Sequence, residues 1–222
     1  NEYKLKLTES ISNTRTDFII SDNLIFPTEL DYKSILIANF LWEEVQQKNF
    51  LPNFSEKVTN QLVLGSEIFS TQGIKSFPRY TPTEMIGGPN TYSSTEMRSI
   101  LISGGSTNVL QTQLKEFINQ LSKLNLKNIY KIYIDKQLHF SGLSSKFLVA
   151  DYSDEMFNEI FLGIVRPGLG IISELLQRDK IIFSLNLENN FEILSNNNAI
   201  RKHNLGKVFN SVDSNLFNSI ES

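Results

Sequence analysis

Short apolar runs separated by polar turns organise the first part of the chain. The runs DFIIS at residues 17–21 and SILIAN at residues 34–39 each predict a buried strand, and residues 62–64 suggest a third. Residues 40–45 have the pattern of a helix start and include the single tryptophan. Because the runs are continuous rather than alternating, they predict parallel strands buried on both faces.

The later part of the chain is more regular. Apolar runs predict a strand that ends at Val165 and five others, at residues 99–103, 129–134, 147–150, 180–185 and 207–209. Helical spacing predicts helices directly after Gly170 and over residues 109–124, 154–160 and 191–203. Strands that alternate with helices through short connections are typical of a parallel α/β sheet with helices on both faces. Such sheets bind ligands at the carboxyl ends of their strands.

Residues 66–95 differ from both parts, with three prolines and three glycines among serines and threonines. This composition predicts an irregular connection, with a domain boundary near residues 86–89. We therefore expect a partial N-terminal domain with its linker at residues 1–85 and a second domain at residues 86–222. Tyr3, Leu5 and Leu7 alternate with polar residues without an evident start, so we also expect that residues precede Asn1.

Composition narrows the function classes. The net charge of −3 argues against a broad nucleic-acid surface, so no nucleic-acid partner is expected. The chain contains no cysteine, which excludes disulfides and thiolate metal sites. It also has no signal-peptide pattern, transmembrane run or lipidation motif, and the default expectation is a cytoplasmic protein.

The first glycine corner, at residues 103–108 (SGGSTN), follows a predicted strand. Its glycines let the backbone approach a diphosphate, and Ser106 adds a hydroxyl donor. Equally, the segment can be a tight strand-to-helix turn with Ser106, Thr107 or Asn108 as the helix N-cap.

The second glycine corner, at residues 166–174 (RPGLGIISE), joins a predicted strand to a helix start. The N–H groups around Gly168, Leu169 and Gly170 favour a phosphate, and Glu174 can accept from ribose hydroxyls. An ordinary βα loop is the simpler interpretation. The spacing also nearly fits a dinucleotide fingerprint, but a serine replaces its third glycine and the corner lies late in the sheet.

Other polar groups give weaker signals. His139 and His203 lack ligand spacing, and there is no Asp-x-Asp element, so backbone groups would have to carry the charge of a diphosphate. The acids around Tyr152 predict a solvated face or a helix cap. The run of asparagines at residues 196–198 predicts a polar helix face.

Five elements in order resemble the donor domain of GT-B glycosyltransferases, particularly the branch that adds N-acetylglucosamine to lipid-linked muramyl peptide. They are the GGS of residues 104–106, the DEM of residues 154–156, the RPGLGIISE of residues 166–174, Asn198-Ala199 and Gly206. The SDN of residues 21–23 and the ANFLW of residues 38–42 are similar to elements of the N-terminal, acceptor-side domain of such proteins.

The resemblance implies a GT-B type α/β fold with a Rossmann-like parallel sheet and an N-terminal domain that is only partly present. It implies a base read near Ser153, a diphosphate held by the two corners and a ribose held by Glu174. No metal and no cofactor are implied. The donor-binding residues implied are Gly104, Gly105, Ser106, Asn108, Ser153, Met156, Arg166, Gly168, Leu169, Gly170, Ile171 and Glu174.

The function implied is transfer of a sugar from a nucleotide diphosphate donor, commonly a UDP-sugar, to an unknown acceptor. Peripheral membrane contact is expected if the acceptor is lipid-linked. Two alternatives stay open. The GGSTN of residues 104–108 also fits a nucleotide-sugar hydrolase of the same architecture, and the chain can be an inactive fragment that only binds a nucleotide sugar.

Overall fold

The computed structural model describes residues 2–41, 61–84, 98–105, 108–124, 126 and 128–221. The chain forms two compact units, Asn1–Glu84 and Met85–Ser222. The predicted boundary at residues 86–89 lies outside the described residues, as do residues 42–45 of the predicted helix start. Phe40 and Leu41, the first two residues of that prediction, are not helical.

The first unit contains a parallel sheet of four strands in the order β1-β2-β3-β4. These are β1 (Phe18–Asp22), β2 (Lys33–Ile37), β3 (Leu62–Ser66) and β4 (Tyr80–Thr83). Two helices, α1 (Glu2–Ser12) and α2 (Gln72–Lys75), and a 3-10 turn at Phe26–Glu29 accompany them. The first three strands confirm the strands predicted from the apolar runs.

Asn39, in the segment similar to an N-terminal GT-B element, ties the strand ends of the first unit together. Its side-chain oxygen accepts hydrogen bonds from the Ser66 backbone N–H at 2.7 Å and the Ser70 hydroxyl at 3.1 Å. Its own N–H donates to the side-chain oxygen of Asn23 at 3.3 Å. These residues therefore fix the loops at the carboxyl ends of β1, β2 and β3.

Tyr3, Leu5 and Leu7, which alternate with polar residues, lie in helix α1. The prediction of an irregular connection over residues 66–95 is wrong in part. The segment expected to be irregular contains α2, whose N-cap Thr71 accepts from the Ile74 N–H, and strand β4. Strand β4 lies at the sheet edge, where Pro82 is tolerated because one side of the strand needs no backbone partner.

The second unit contains a parallel sheet of six strands. These are β5 (Arg98–Ser103), β6 (Ile129–Ile134), β7 (Phe147–Val149), β8 (Ile160–Val165), β9 (Ile181–Leu185) and β10 (Lys207–Phe209). Its helices are α3 (Gln111–Leu121), α4 (Asp154–Glu159), α5 (Leu169–Gln177), α6 (Phe191–Lys202) and α7 (Ser214–Glu221). The strands and the first four helices confirm the predicted elements to within a few residues, whereas α7 was not predicted.

The strand order of the second unit is β7-β6-β5-β8-β9-β10, which is the doubly wound Rossmann order. The chain leaves β5 in one direction to build β6 and β7, then returns to the other side of β5 to build β8, β9 and β10. Strands β5 and β8 are therefore adjacent at the point where the order reverses. Their register pairs Ser103 with Val165, so both strands end at the same level.

An apolar core holds the sheet of the second unit against its helices. Helix α3 buries Leu114, Phe117, Ile118 and Leu121 along one face, as its helical spacing predicted. These side chains pack in one cluster with sheet residues that include Ile100. Continuous burial of the central strands explains their unbroken apolar runs.

Gly206, directly before β10, gives a test of this packing. A Cβ atom at Gly206 would lie 2.4 Å from the Ile182 carbonyl oxygen, which is a backbone atom that cannot turn aside. We expect Gly206→Ala to lower the free energy of unfolding by about 1–3 kcal/mol in urea denaturation. An unchanged unfolding midpoint would contradict this close approach of the strands.

Candidate functional site

A cavity of about 750 Å³ opens at the carboxyl ends of β5 and β8, within the second unit. Ser103 and Gly105 of the first glycine corner line it together with Arg166 and Gly168 of the second. The backbone N–H of Arg166 donates to the Ser103 carbonyl at 2.8 Å and so ties the two corners to each other. Both corners thus open onto one crevice at the switch point of the sheet, where α/β proteins bind their ligands.

The first corner is held from beneath by Asp135, which follows strand β6. The Gly104 N–H donates to the Asp135 carboxylate at 2.8 Å, and a Cβ at Gly104 would lie 3.0 Å from Leu114. Gly105 adopts a φ of 73°, a conformation that favours glycine. Its N–H donates to the Ser103 hydroxyl oxygen at 3.2 Å.

Asp135 also fixes Tyr152, a half-exposed residue on the cavity wall. The Tyr152 hydroxyl donates to the Asp135 carboxylate and lies 3.2 Å from the Ser103 hydroxyl. Gln137 donates to the same carboxylate at 3.3 Å and to the Gly105 carbonyl at 2.9 Å. Burial, followed by the hydrogen bond to Asp135, raises the pKa of Tyr152 well above its ordinary value, so the phenol stays neutral.

The second corner leads into the N-terminus of α5. Gly168 is its N-cap residue and has no side chain that could accept from the first N–H groups of the helix. Asn196 supports the corner, because its amide donates to the Pro167 carbonyl at 2.8 Å. The Leu169 N–H already bonds to the Glu192 carboxylate, so the N–H groups of Gly170 and Ile171, together with the helix dipole, make this end of the cavity attractive to an anion.

Packing within the protein does not explain the two glycines of this corner. A Cβ atom at Gly168 or Gly170 would meet no atom within 4 Å, and Gly168 has an ordinary φ of −68°. By contrast, a Cβ at Gly163 would lie 2.6 Å from Leu175. The missing side chains at Gly168 and Gly170 leave open space in front of the backbone N–H groups.

Glu174 lines the cavity one and a half turns into α5 and forms an ion pair with Arg178. Arg178 is buried, pairs also with Asp154 at the start of α4 and lies 4.9 Å over the ring of Phe157. One cation therefore links α4 to α5 and fixes the direction of the Glu174 side chain.

Two further acids lie close to the second corner. Glu188 forms an ion pair with Arg166 at 2.5 Å, and its side chain is 9% exposed. Glu192, in the first turn of α6, lines the cavity and is half-buried. Burial raises the pKa of Glu192, the Arg166 guanidinium and the Leu169 N–H lower it, and the Glu188 carboxylate raises it.

The fold is similar to those of glycosyltransferases of known structure. SnogD, a glycosyltransferase from Streptomyces nogalater, superposes with a TM-score of 0.63 at 9% identity over 99% of this chain and 69% of its own. The glycotransferase of kitacinnamycin gives a TM-score of 0.61 at 12% identity over 96% of this chain and 67% of its own. MurG of Acinetobacter baumannii gives 0.54 at 14% identity, over 100% and 69%.

The chain has the GT-B fold. The predicted fold class is confirmed, and the chain spans about two thirds of the length of these neighbours. No family model matches the sequence, and no curated protein is significantly similar to it. The low sequence identities mean that the comparison establishes the fold alone.

The second unit places most of the predicted donor residues together. Those that line the cavity are Gly105, Arg166, Gly168, Leu169, Gly170, Ile171 and Glu174. Ser106 lies outside the described residues. Gly104, Asn108, Ser153 and Met156 are not among the lining residues.

Ser153 and Met156 have structural roles in this unit. The Ser153 hydroxyl caps α4 by accepting from the Met156 N–H at 3.2 Å, and the Met156 side chain is buried. The Ser153 N–H donates to Asp151 at 3.0 Å. The neighbouring aromatic residues, Tyr152 and Phe157, are the ones that line the cavity here.

The prediction that the asparagine run forms a polar helix face is wrong for two of its residues. Asn196 and Asn197 are buried, and their side chains bond to other parts of the protein. Asn197 accepts from the Ser184 hydroxyl at 2.7 Å and so anchors α6 to β9. No role was predicted for Asp135, Arg178 or Glu192, although Asp135 directly follows a predicted strand, a position where ligand-side residues are expected.

The described residues contain neither a helix that could span a membrane nor a metal-binding cluster. In that part of the chain, no helix combines the length and apolar character needed to cross a membrane. Nor does it contain a group of three or more histidine, aspartate or glutamate side chains arranged to hold a metal ion.

Tyr152→Phe tests the network beneath the first corner. The substitution removes a hydroxyl that bonds to buried Asp135, so we expect the free energy of unfolding to fall by about 1–2 kcal/mol. Tyr130→Phe is the matched control, because Tyr130 is an exposed tyrosine of strand β6 in the same unit. Equal unfolding midpoints for both variants in urea would contradict the network.

Proposed function

We propose that the second unit binds a nucleotide diphosphate sugar, with UDP as the nucleotide, and that the protein transfers the sugar to an acceptor. The observation that carries the proposal is the open backbone in front of Gly168 and Gly170, at a helix N-terminus and at the switch point of the sheet. Glycosyltransferases that share this fold support sugar transfer as the reaction.

The diphosphate lies between the two corners in this proposal. Gly105 contributes from one side, and the N-terminal turn of α5 at Leu169, Gly170 and Ile171 from the other. Arg166 adds a cation, whose Cδ lies 3.7 Å from the position of a Cβ at Gly105. Backbone dipoles and a guanidinium can stabilise the charge that develops on the leaving diphosphate.

The nucleoside extends from the diphosphate along the cavity wall. Glu174 accepts hydrogen bonds from the ribose hydroxyls, since its carboxylate is fixed by Arg178 at the edge of the cavity. The base lies beyond it, next to Ser153, where the rings of Tyr152 and Phe157 offer apolar faces.

For a donor bound in the proposed way, we expect direct displacement at the anomeric carbon of the sugar. A hydroxyl oxygen of the acceptor forms the new bond to the anomeric carbon while the bond from that carbon to the diphosphate oxygen breaks. The hydroxyl proton passes to a base, and UDP leaves with the bonding electrons. A cytoplasmic location, with peripheral membrane contact if the acceptor is lipid-linked, belongs to the same proposal.

Calorimetric titration with UDP, with NAD as the control, tests the binding step. The proposal predicts saturable binding of UDP and none of NAD, and the reverse result would favour a dinucleotide site. Incubation with UDP-sugars without an acceptor tests the reaction class. Steady release of UDP and free sugar in equal amounts would contradict transfer and favour the hydrolase.

Glu174→Gln tests the ribose contact. The amide keeps an oxygen towards Arg178 but loses the charge that strengthens hydrogen bonds to ribose, so we expect UDP binding to weaken by about 1–2 kcal/mol. Glu155→Gln changes an exposed acid of α4 outside the cavity and serves as the control. Unchanged calorimetric affinity in Glu174→Gln would remove Glu174 from this role.

Gly170→Ala separates binding from folding. Alanine suits the first turn of α5 better than glycine and meets no neighbour, so we expect stability to be equal or higher by about 0.5–1 kcal/mol. The new methyl group fills space proposed for phosphate, so we expect UDP affinity to fall by about tenfold or more. Thermal unfolding and calorimetry measure the two effects, and undiminished UDP affinity would contradict the proposed phosphate position.

A further inference from the structure

Two carboxylates, Glu188 of the β9–α6 connection and Glu192 of the first turn of α6, lie close to the second corner. Glu188 engages Arg166 through its Nε at 2.5 Å, and both side chains are nearly buried. Glu192 follows one helical turn later and lines the cavity wall beside Leu169. The two groups that attract an anion here, the guanidinium and the helix N-terminus, therefore already have anionic neighbours from the protein itself.

The charged side chains around the cavity determine how strongly these acids affect a bound anion. Asp135, Glu174 and Glu192 line it with negative charge, against the cations Lys136 and Arg166. Glu174 is neutralised by Arg178, Arg166 by Glu188, and the Asp135 carboxylate accepts hydrogen bonds from Gly104, Gln137 and Tyr152. Glu192 has no ion pair among the described residues. A phosphate that approaches Leu169 must therefore enter against the Glu192 carboxylate, in a half-buried place where charges are poorly screened.

We propose that Glu188 and Glu192 determine the charge selectivity of this cavity, favouring ligands that have no terminal phosphate over ligands that have one. The inference rests on the proposed function, because it concerns the same diphosphate position. It makes Glu192 a specificity-determining residue that repels added charge, and Glu188 a positioning residue that acts through Arg166.

The chemistry of the ligands makes this selection meaningful. Each phosphate of a nucleotide sugar carries one negative charge, because both of its phosphates are esterified. A terminal phosphate carries nearly two charges above its second pKa of about 6. Repulsion by Glu192 therefore costs least for the donor, more for free UDP and most for UTP. A site of this kind also favours release of UDP after the sugar has left.

Glu192→Gln isolates the charge, since the amide keeps the size of the side chain and an oxygen that can accept from the Leu169 N–H. Calorimetry at pH 8 with EDTA compares UDP-glucose, UDP and UTP as probes on the unmodified protein, Glu192→Gln and the control Glu155→Gln. Lys136 and Arg166 are unchanged in all three proteins.

In Glu192→Gln we expect the dissociation constant of UDP to fall by about fivefold and that of UTP by more, with less than about a twofold change for UDP-glucose. Glu155→Gln leaves all three constants unchanged. Glu188→Gln provides a second readout, because loss of the partner of Arg166 raises affinity for UTP relative to UDP-glucose.

The outcomes separate the two levels of the proposal. If UDP-glucose binds but the ratio of UDP to UDP-glucose affinity is the same in Glu192→Gln and the unmodified protein, the selectivity inference is overturned and the donor site stands. If none of the three ligands binds to the unmodified protein or to any variant, the proposed function is overturned together with the inference.

Discussion

The parallel pairing of β5 with β8 is the constraint on which the candidate site depends. These strands are neighbours because the doubly wound order reverses between them, although about sixty residues of chain separate their ends. Pairing of Ser103 with Val165 makes them end at one level, and the hydrogen bond from Arg166 to the Ser103 carbonyl extends the ladder into the loops. Two unrelated glycine turns thereby become two sides of one cavity.

Polar side chains outside the corners preserve this geometry. Asp135 receives bonds from Gly104, Gln137 and Tyr152, and therefore fixes the first corner to the strand beside it. Asn196 of α6 bonds to the second corner at Pro167, and Arg178, at the end of α5, pairs with Glu174 and Asp154. Asp135, Asn196 and Arg178 are buried and bonded, so they hold their partners in fixed positions.

The sequence predicted what local pattern can specify. Apolar runs and helical spacing located the strands and the main helices of the second unit. Strands buried on both faces have continuous apolar runs, and helices buried on one face have apolar residues at helical spacing. The glycine corners were also recognisable, since strand, turn and helix start are contiguous. Asp135 with Tyr152, or Asn196 with Pro167, could not be predicted, because their partners meet only through the topology. Asparagines at residues 196 and 197 have the composition of a solvated face whether they are buried or not.

The second corner and two acids lie close together in the structure. Backbone N–H groups at the start of α5 provide a fixed positive end, whereas Glu188 of the β9–α6 connection and Glu192 of the first turn of α6 reduce the net field. Such a balance suits a ligand that has to be bound and then released.

The most direct test of the account is a titration of the ¹⁵N-labelled protein with UDP, followed by amide chemical shifts. The account predicts that the signals of Gly105, Leu169, Gly170 and Ile171 move together along one saturable curve, because the two corners contact the same diphosphate. Signals that stay fixed at both corners, or movement of only one corner at saturating UDP, would contradict it.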